Sequence, residues 1–111
     1  KSMNLVRMLR SAYDHKLSTY DLLVMPTTAA KAQAIPQPGA SIMEVVQSAL
    51  PLYLNGNTQP FNATHHPAMA VPCGMSQGLP ISLMLVGKHF DEPTIYRAAH
   101  AFQESIDWKT I

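Results

Sequence analysis

Charge is scarce in this chain: 14% of its 111 residues are Asp, Glu, Lys or Arg, against about 25% in a typical soluble domain. A small domain has a large surface to solvate, so the deficit implies that part of that surface is meant to be covered by other protein. No basic run exists and net charge is +1, which leaves no electrostatic footprint for nucleic acid. No apolar run approaches the roughly 20 residues of a membrane span, so neither membrane nor nucleic acid is an expected partner. A single cysteine, Cys73, cannot close an internal disulfide, which fits a reducing, cytoplasmic compartment. Repeats and low-complexity tracts are absent too. The chain opens on Lys1 rather than Met and is expected to be part of a longer polypeptide.

What is present is apolar patterning. Leu5, Leu9, Ala12, Tyr13 and Leu17 recur at helical spacing, which predicts an amphipathic helix over 3–18. Asp21 to Met25 (DLLVM) is a short apolar run stopped by Pro26, the pattern of a strand buried on both faces. Prolines at 26, 36 and 38 and Gly39 make 26–40 an extended loop. Ser41 and Glu44 form a capping-box pair that starts a helix at Ile42. Pro51 should interrupt or kink that helix, and Asn55-Gly56 should end it. Ala68 to Cys73 and Ile81 to Val86 read as two further buried strands, with Pro72 opposing regular pairing at the end of the first. Asp91 is a plausible N-cap, with Pro93 in the first turn. Ile95, Ala99, Phe102 and Ile106 then line one face of a last helix. The fold class is α/β. Three buried strands need cover on both faces and both edges, so the sheet is expected to be incomplete in this chain.

Several residues invite a chemical reading. Gly74-Met75-Ser76-Gln77-Gly78 matches the G-x-S-x-G nucleophile elbow, and Asp91 and His100 follow in α/β-hydrolase order. The elbow needs a helix directly after the serine, whereas here Leu79-Pro80 leads into a strand. Ser76 reads more simply as a turn residue. His65-His66 invites a metal. Adjacent imidazoles point apart, no Cys or carboxylate stands at ligand spacing, and His15, His89 and His100 are scattered in sequence, so no metal ligand is assigned. Nothing in the sequence near Cys73 would activate its thiol, and it reads as a small core residue. The polar stretch from Asn55 to Asn62, with Phe61 within it, suits either a turn network or a pocket that orients an uncharged polar ligand.

Taken in order, DLLVMPTT at 21–28, NTQPFNATHHPAMAVPCG at 57–74, GLPISLMLVGKHFDE at 78–92 and TIYRAAHAF at 94–102 resemble the C-terminal part of the amidase signature enzymes. The acylamidase or carboxamide amidase type resembles them most, and the A subunit of the tRNA-dependent amidotransferases less. The resemblance implies a large mixed β-sheet flanked by helices, of which 1–111 would be one C-terminal segment with no second domain. It also implies carboxamide hydrolysis by a Ser–cis-Ser–Lys triad, in which a neutral lysine deprotonates the bridging serine and so activates the nucleophilic serine. That triad belongs to an upstream serine-rich region; none of Lys1, Lys16, Lys31, Lys88 or Lys109 sits in one, so no catalytic residue carries over. Asn57, Thr58 and Phe61 are the expected substrate-binding residues, by resemblance. The implied partners are the upstream catalytic half and a small-molecule amide. No cofactor is implied, and a homodimer is left open. Family members commonly carry glycine at the place of His65. Two alternatives stand: a non-catalytic subunit or binding module that reuses this half of the fold, and a small serine hydrolase using Ser76, Asp91 and His100.

Overall fold

The computed structural model describes residues 2–54 and 56–111, at 52–54 the backbone alone. Helix α1 spans Ser2–Thr19, as its apolar spacing predicts. Leu17 on that stripe is buried and Tyr13 half-buried, but Leu5 and Leu9 face solvent. Only the C-terminal half of α1 therefore has something to pack against.

Strand β1 is Leu23–Pro26, and it corrects the expectation of a strand buried on both faces. Its residues alternate between half-buried and exposed, with Val24 61% exposed. The reason is position: the sheet order is β1-β3-β2, so β1 is an edge. Pro26, which cannot donate a ladder hydrogen bond, sits as the last residue of that edge rather than stopping the strand before it.

Helix α2, Ile42–Leu54, begins with the capping box. Ser41 donates from its backbone N–H and its hydroxyl to the Glu44 carboxylate, both at 2.8 Å, and the Glu44 N–H donates back to Ser41 Oγ at 3.3 Å. The Ser41 donors hold the Glu44 carboxyl below its ordinary pKa. Pro51 does not interrupt α2, which runs on to Leu54. Asn55, expected to help end it, lies outside the described residues.

Helix α3, Gln59–Thr64, was not legible as a helix. Its six residues are too few to show an apolar period, and the polar groups around it suggest a turn. His65 closes α3 in the left-handed region, φ 61° and ψ 25°, and its N–H donates to Phe61 O at 2.8 Å. This is the backbone that glycine adopts most easily.

Strands β2, Ala68–Ser76, and β3, Leu79–Val86, form an antiparallel hairpin. Gln77 and Gly78 both have positive φ, at 54° and 78°, the requirement of a two-residue primed turn. Pro72 pairs with Ser82 and Gly74 with Ile81, so Cys73 is the extra residue of a bulge. The irregularity at Pro72 is as expected, yet the strand resumes and runs three residues past Cys73, to Ser76. Cys73 itself is half-buried rather than a core residue.

Side-chain alternation along β3 builds two cores. Leu85 joins Val71, Ile95 and Ala99 on one face, under α4 (Glu92–Ser105). Met84 and Val86 join Phe61 on the other, against Tyr13 of α1. Both faces are thus covered at the Val86 end, while Met75, Leu79 and Ile81 at the turn end remain exposed. The strand exit brings α4 close: a Cβ on Gly87 would lie 2.9 Å from Ile95 Cγ1.

Candidate functional site

The polar stretch before β2 is folded around α3, and its residues divide by task. Asn57 donates from Nδ2 to Pro26 O at 2.6 Å, tying the end of β1 to the approach to α3. Thr58 stands at the N-cap without a side-chain capping bond, and its carbonyl accepts from Phe61 N and Asn62 N. Phe61, 5% exposed, belongs chiefly to the core, with its ring centroid 5.0 Å from that of Tyr13.

Thr58 and Phe61 nevertheless share a cavity of about 340 Å³, with Thr27, Asn62, His66 and Met84 also on its wall. Apolar side chains with a few hydroxyl, amide and imidazole groups suit an uncharged polar ligand. Thr27 is held in place there, accepting at Oγ1 from Ser82 Oγ at 2.9 Å. Asn57 does not line this cavity. Its hydrogen bond to Pro26 instead positions the loop that carries Thr58.

The elbow reading of Ser76 fails on geometry. Ser76 is the last residue of β2 before the hairpin turn, and Asp91 caps α4 at the opposite end of the hairpin. At roughly 3.3 Å per residue, the length of β2 alone separates these ends by roughly 25 Å. Asp91 Oδ1 instead accepts from Thr94 Oγ1 at 2.8 Å. Among the described residues no hydrogen bond links Ser76, Asp91 and His100.

The histidines are scattered in sequence, but two of them are not scattered in space. Folding brings His66, His89 and Asp14 together, their ligand-type atoms all within 4.8 Å of one another. His66 lies two residues before β2, and His89 follows the exit of β3. Those strand ends pair as Ala68 with Val86, which stacks the two imidazoles with centroids 4.1 Å apart. Asp14 comes from α1, 52 residues from His66 in sequence. No sequence spacing announces a set drawn from three separate segments. Burial pushes the His66 imidazole below its ordinary pKa, against the opposing pull of Asp14.

A family model described as Amidase matches residues 1–96. The chain belongs to the amidase family. Among curated relatives of this amidase segment, the A subunit of the glutamyl-tRNA(Gln) amidotransferase of Methanosarcina acetivorans is 40% identical over 111 residues, 99% of this chain and 22% of that protein. Among solved structures, a 6-aminohexanoate cyclic dimer hydrolase matches with a TM-score of 0.69 and 26% identity, over 93% of this chain and 23% of its own. A bacterial aryl acylamidase of the amidase signature family matches in fold, with a TM-score of 0.74 and 22% identity, over 96% and 22% of the two chains. The amidase segment thus spans about a fifth of the length of these three proteins. Its α/β fold is that of the amidase signature enzymes, and an amidotransferase A subunit stands among its curated relatives.

Proposed function

We propose that this chain is the C-terminal scaffold and substrate-pocket segment of an amidase that hydrolyses linear carboxamides to carboxylate and ammonia or amine. The nucleophile, the bridging cis-serine and the lysine base are supplied by the rest of the polypeptide, and residues 1–111 alone are inactive. The observation that carries this reading is the cavity of about 340 Å³ shared by Thr58 and Phe61 in a segment whose family is amidase. Thr58 offers a hydroxyl free of capping duty to orient a carboxamide, and Phe61 offers apolar area for its acyl chain. Asn57 acts one step back, by holding the loop to β1. The substrate is a small amide, the segment forms a single unit with the upstream half, and no cofactor is required.

The test uses the full-length protein carrying Thr58→Val or the conservative core change Phe61→Leu. Preference between aliphatic and aromatic amides, read as a ratio of kcat/KM, should move about tenfold, the scale on which a pocket discriminates a methylene or two. An unchanged ratio in both variants rejects the pocket assignment.

The 40% identity to one component of an amidotransferase favours a second reading, in which the amide is hydrolysed to deliver ammonia within a larger assembly. Hydrolysis of a simple carboxamide by the purified full-length chain, with no other protein added, decides for the stand-alone amidase. Strict dependence on further subunits decides for the second reading.

A further inference from the structure

Asp14 and His89 lie outside the Thr58–Phe61 cavity and form a cluster with His66, which borders it. His66 is buried and approaches Asp14 Oδ1 through Nε2 at 3.1 Å. His89 Nε2 lies 3.7 Å from the same oxygen, too far for a hydrogen bond. That nitrogen is itself buried and has no hydrogen-bond partner, an uncommon state for a buried polar atom. One shared proton can satisfy the Asp14–His66 contact but leaves His89 Nε2 unmet. A cation between the three atoms would satisfy them all.

The dimensions suit such an ion. With metal–ligand bonds of about 2.1 Å, the ligand atoms of a tetrahedral site lie roughly 3.4 Å apart. The separations of Asp14 Oδ1 from the two imidazole nitrogens, 3.1 and 3.7 Å, bracket that value, and all three ligand atoms lie within 4.8 Å of one another. The surroundings match as well. A histidine that binds metal through Nε2 keeps its proton on Nδ1 and donates it to an outer partner. Thr64 Oγ1, on a fully buried residue, lies 2.9 Å from His66 Nδ1, and Arg10 fixes that residue by donating from Nε to Thr64 O at 3.0 Å. The Asp14 side chain is 50% exposed and that of His89 29%. Together with a groove lined by Arg10, His65, His89 and Glu92, they leave an approach for solvent and ion.

We infer that Asp14, His66 and His89 form a divalent-cation site of the zinc type, with water completing the coordination. The donor set, two imidazoles and one carboxylate, suits zinc or a neighbouring transition metal and not calcium or magnesium, which take oxygen. The ion would join α1 to the entry of β2 and the exit of β3, which already pair with each other as neighbouring strands. His66 also forms part of the wall of the Thr58–Phe61 cavity, but ligation at its Nε2 requires nothing of what that cavity binds.

The test uses the full-length protein, stripped with chelator and titrated with Zn²⁺ against a chromogenic competitor, then with Co²⁺ as a spectroscopic probe. The expected result is one equivalent per chain, with Co²⁺ d–d bands of a nitrogen- and oxygen-ligated site, and a melting temperature raised by Zn²⁺. His89→Gln and Asp14→Asn, both at partly exposed side chains, should each weaken binding at least tenfold and abolish the thermal shift, while His15→Gln should do neither. Circular dichroism of each metal-free variant separates loss of binding from loss of fold. Absence of stoichiometric binding, or binding that survives both ligand changes, overturns the site and leaves a metal-free hydrogen-bonded clasp.

Discussion

His65 ends α3 at φ 61°, where a Cβ crowds the following carbonyl oxygen at a cost of about 1–2 kcal/mol. Glycine carries no such cost, which is the physical ground for the glycine that the resemblance leads one to expect here. His65 is also exposed, so little packing is lost with its side chain. His65→Gly is therefore expected to stabilise the full-length protein by ~1 kcal/mol, read from urea unfolding. A destabilised glycine variant would show that the imidazole makes a contact worth more than the strain. The sequence marks this position only through the family comparison, because φ is a property of the folded turn. The same holds for His66 and His89: each is ordinary in sequence, and only the pairing of Ala68 with Val86 stacks their rings.

Among the elements, α2 and α4 were the most legible. The capping box starts α2, and α4 starts directly after Asp91 with Pro93 in its first turn, although the Asp91 side chain makes no capping bond. The Ser41–Glu44 box formed as its spacing predicts, and its pH dependence follows from the lowered Glu44 pKa. A carboxyl whose folded pKa lies below its unfolded value of about 4.3 stabilises the helix fully above that value. The contribution is lost as pH falls through the folded pKa. The first turn of α2 should therefore fray on acidification below about pH 4, seen as loss of the Glu44 and Val45 amide cross-peaks or their exchange protection. In Ser41→Ala this acid step should shrink. At α4, Gly87 is required by proximity to Ile95 and not by its own φ. Gly87→Ala should destabilise by about 1–3 kcal/mol, the range of core overpacking, and Ile95→Val in the same chain should recover part of the loss. No recovery would place the strain elsewhere. β1 and α3 were the least legible, an edge strand and a six-residue helix whose assignments depend on their neighbours.

The described chain is a slab of 49 × 45 × 16 Å with a radius of gyration of 16.7 Å, where a compact domain of this length has roughly 13 Å. Its accessible surface, 7964 Å², exceeds the roughly 6,100 Å² of a compact monomer of its mass. Apolar side chains account for much of the excess: Met3, Leu5 and Met8 on α1, and Ile42, Met43 and Val46 on α2, are each about half exposed or more. Apolar surface on that scale is a contact face. Residues 1–111 expressed alone should bind a hydrophobic dye strongly, and the signal should fall when the upstream half is co-expressed and co-purifies. A dye-silent, cooperatively melting monomer would refute the need for that cover. Within the described residues no helix is long and apolar enough to cross a membrane.

Whatever depends on neighbours along the chain was settled by the sequence: the extent of α1, the start of α4, the capping box, the presence of two hairpin strands, the charge deficit and the family blocks. Contacts within a few residues and the alternation of apolar side chains set these features, and both are written in local order. Ile106, expected on the face of α4, instead lies beyond its end in extended backbone. The tertiary structure decided what depends on residues brought from afar. It put β1 at an edge, joined Thr58 and Phe61 to Thr27 and Met84 around one cavity, and separated Ser76 from Asp91 by the length of a strand. It also gathered Asp14, His66 and His89 around one oxygen. Strand order and helix docking are set by burial of apolar faces summed over the whole chain, and no local window of sequence contains that sum.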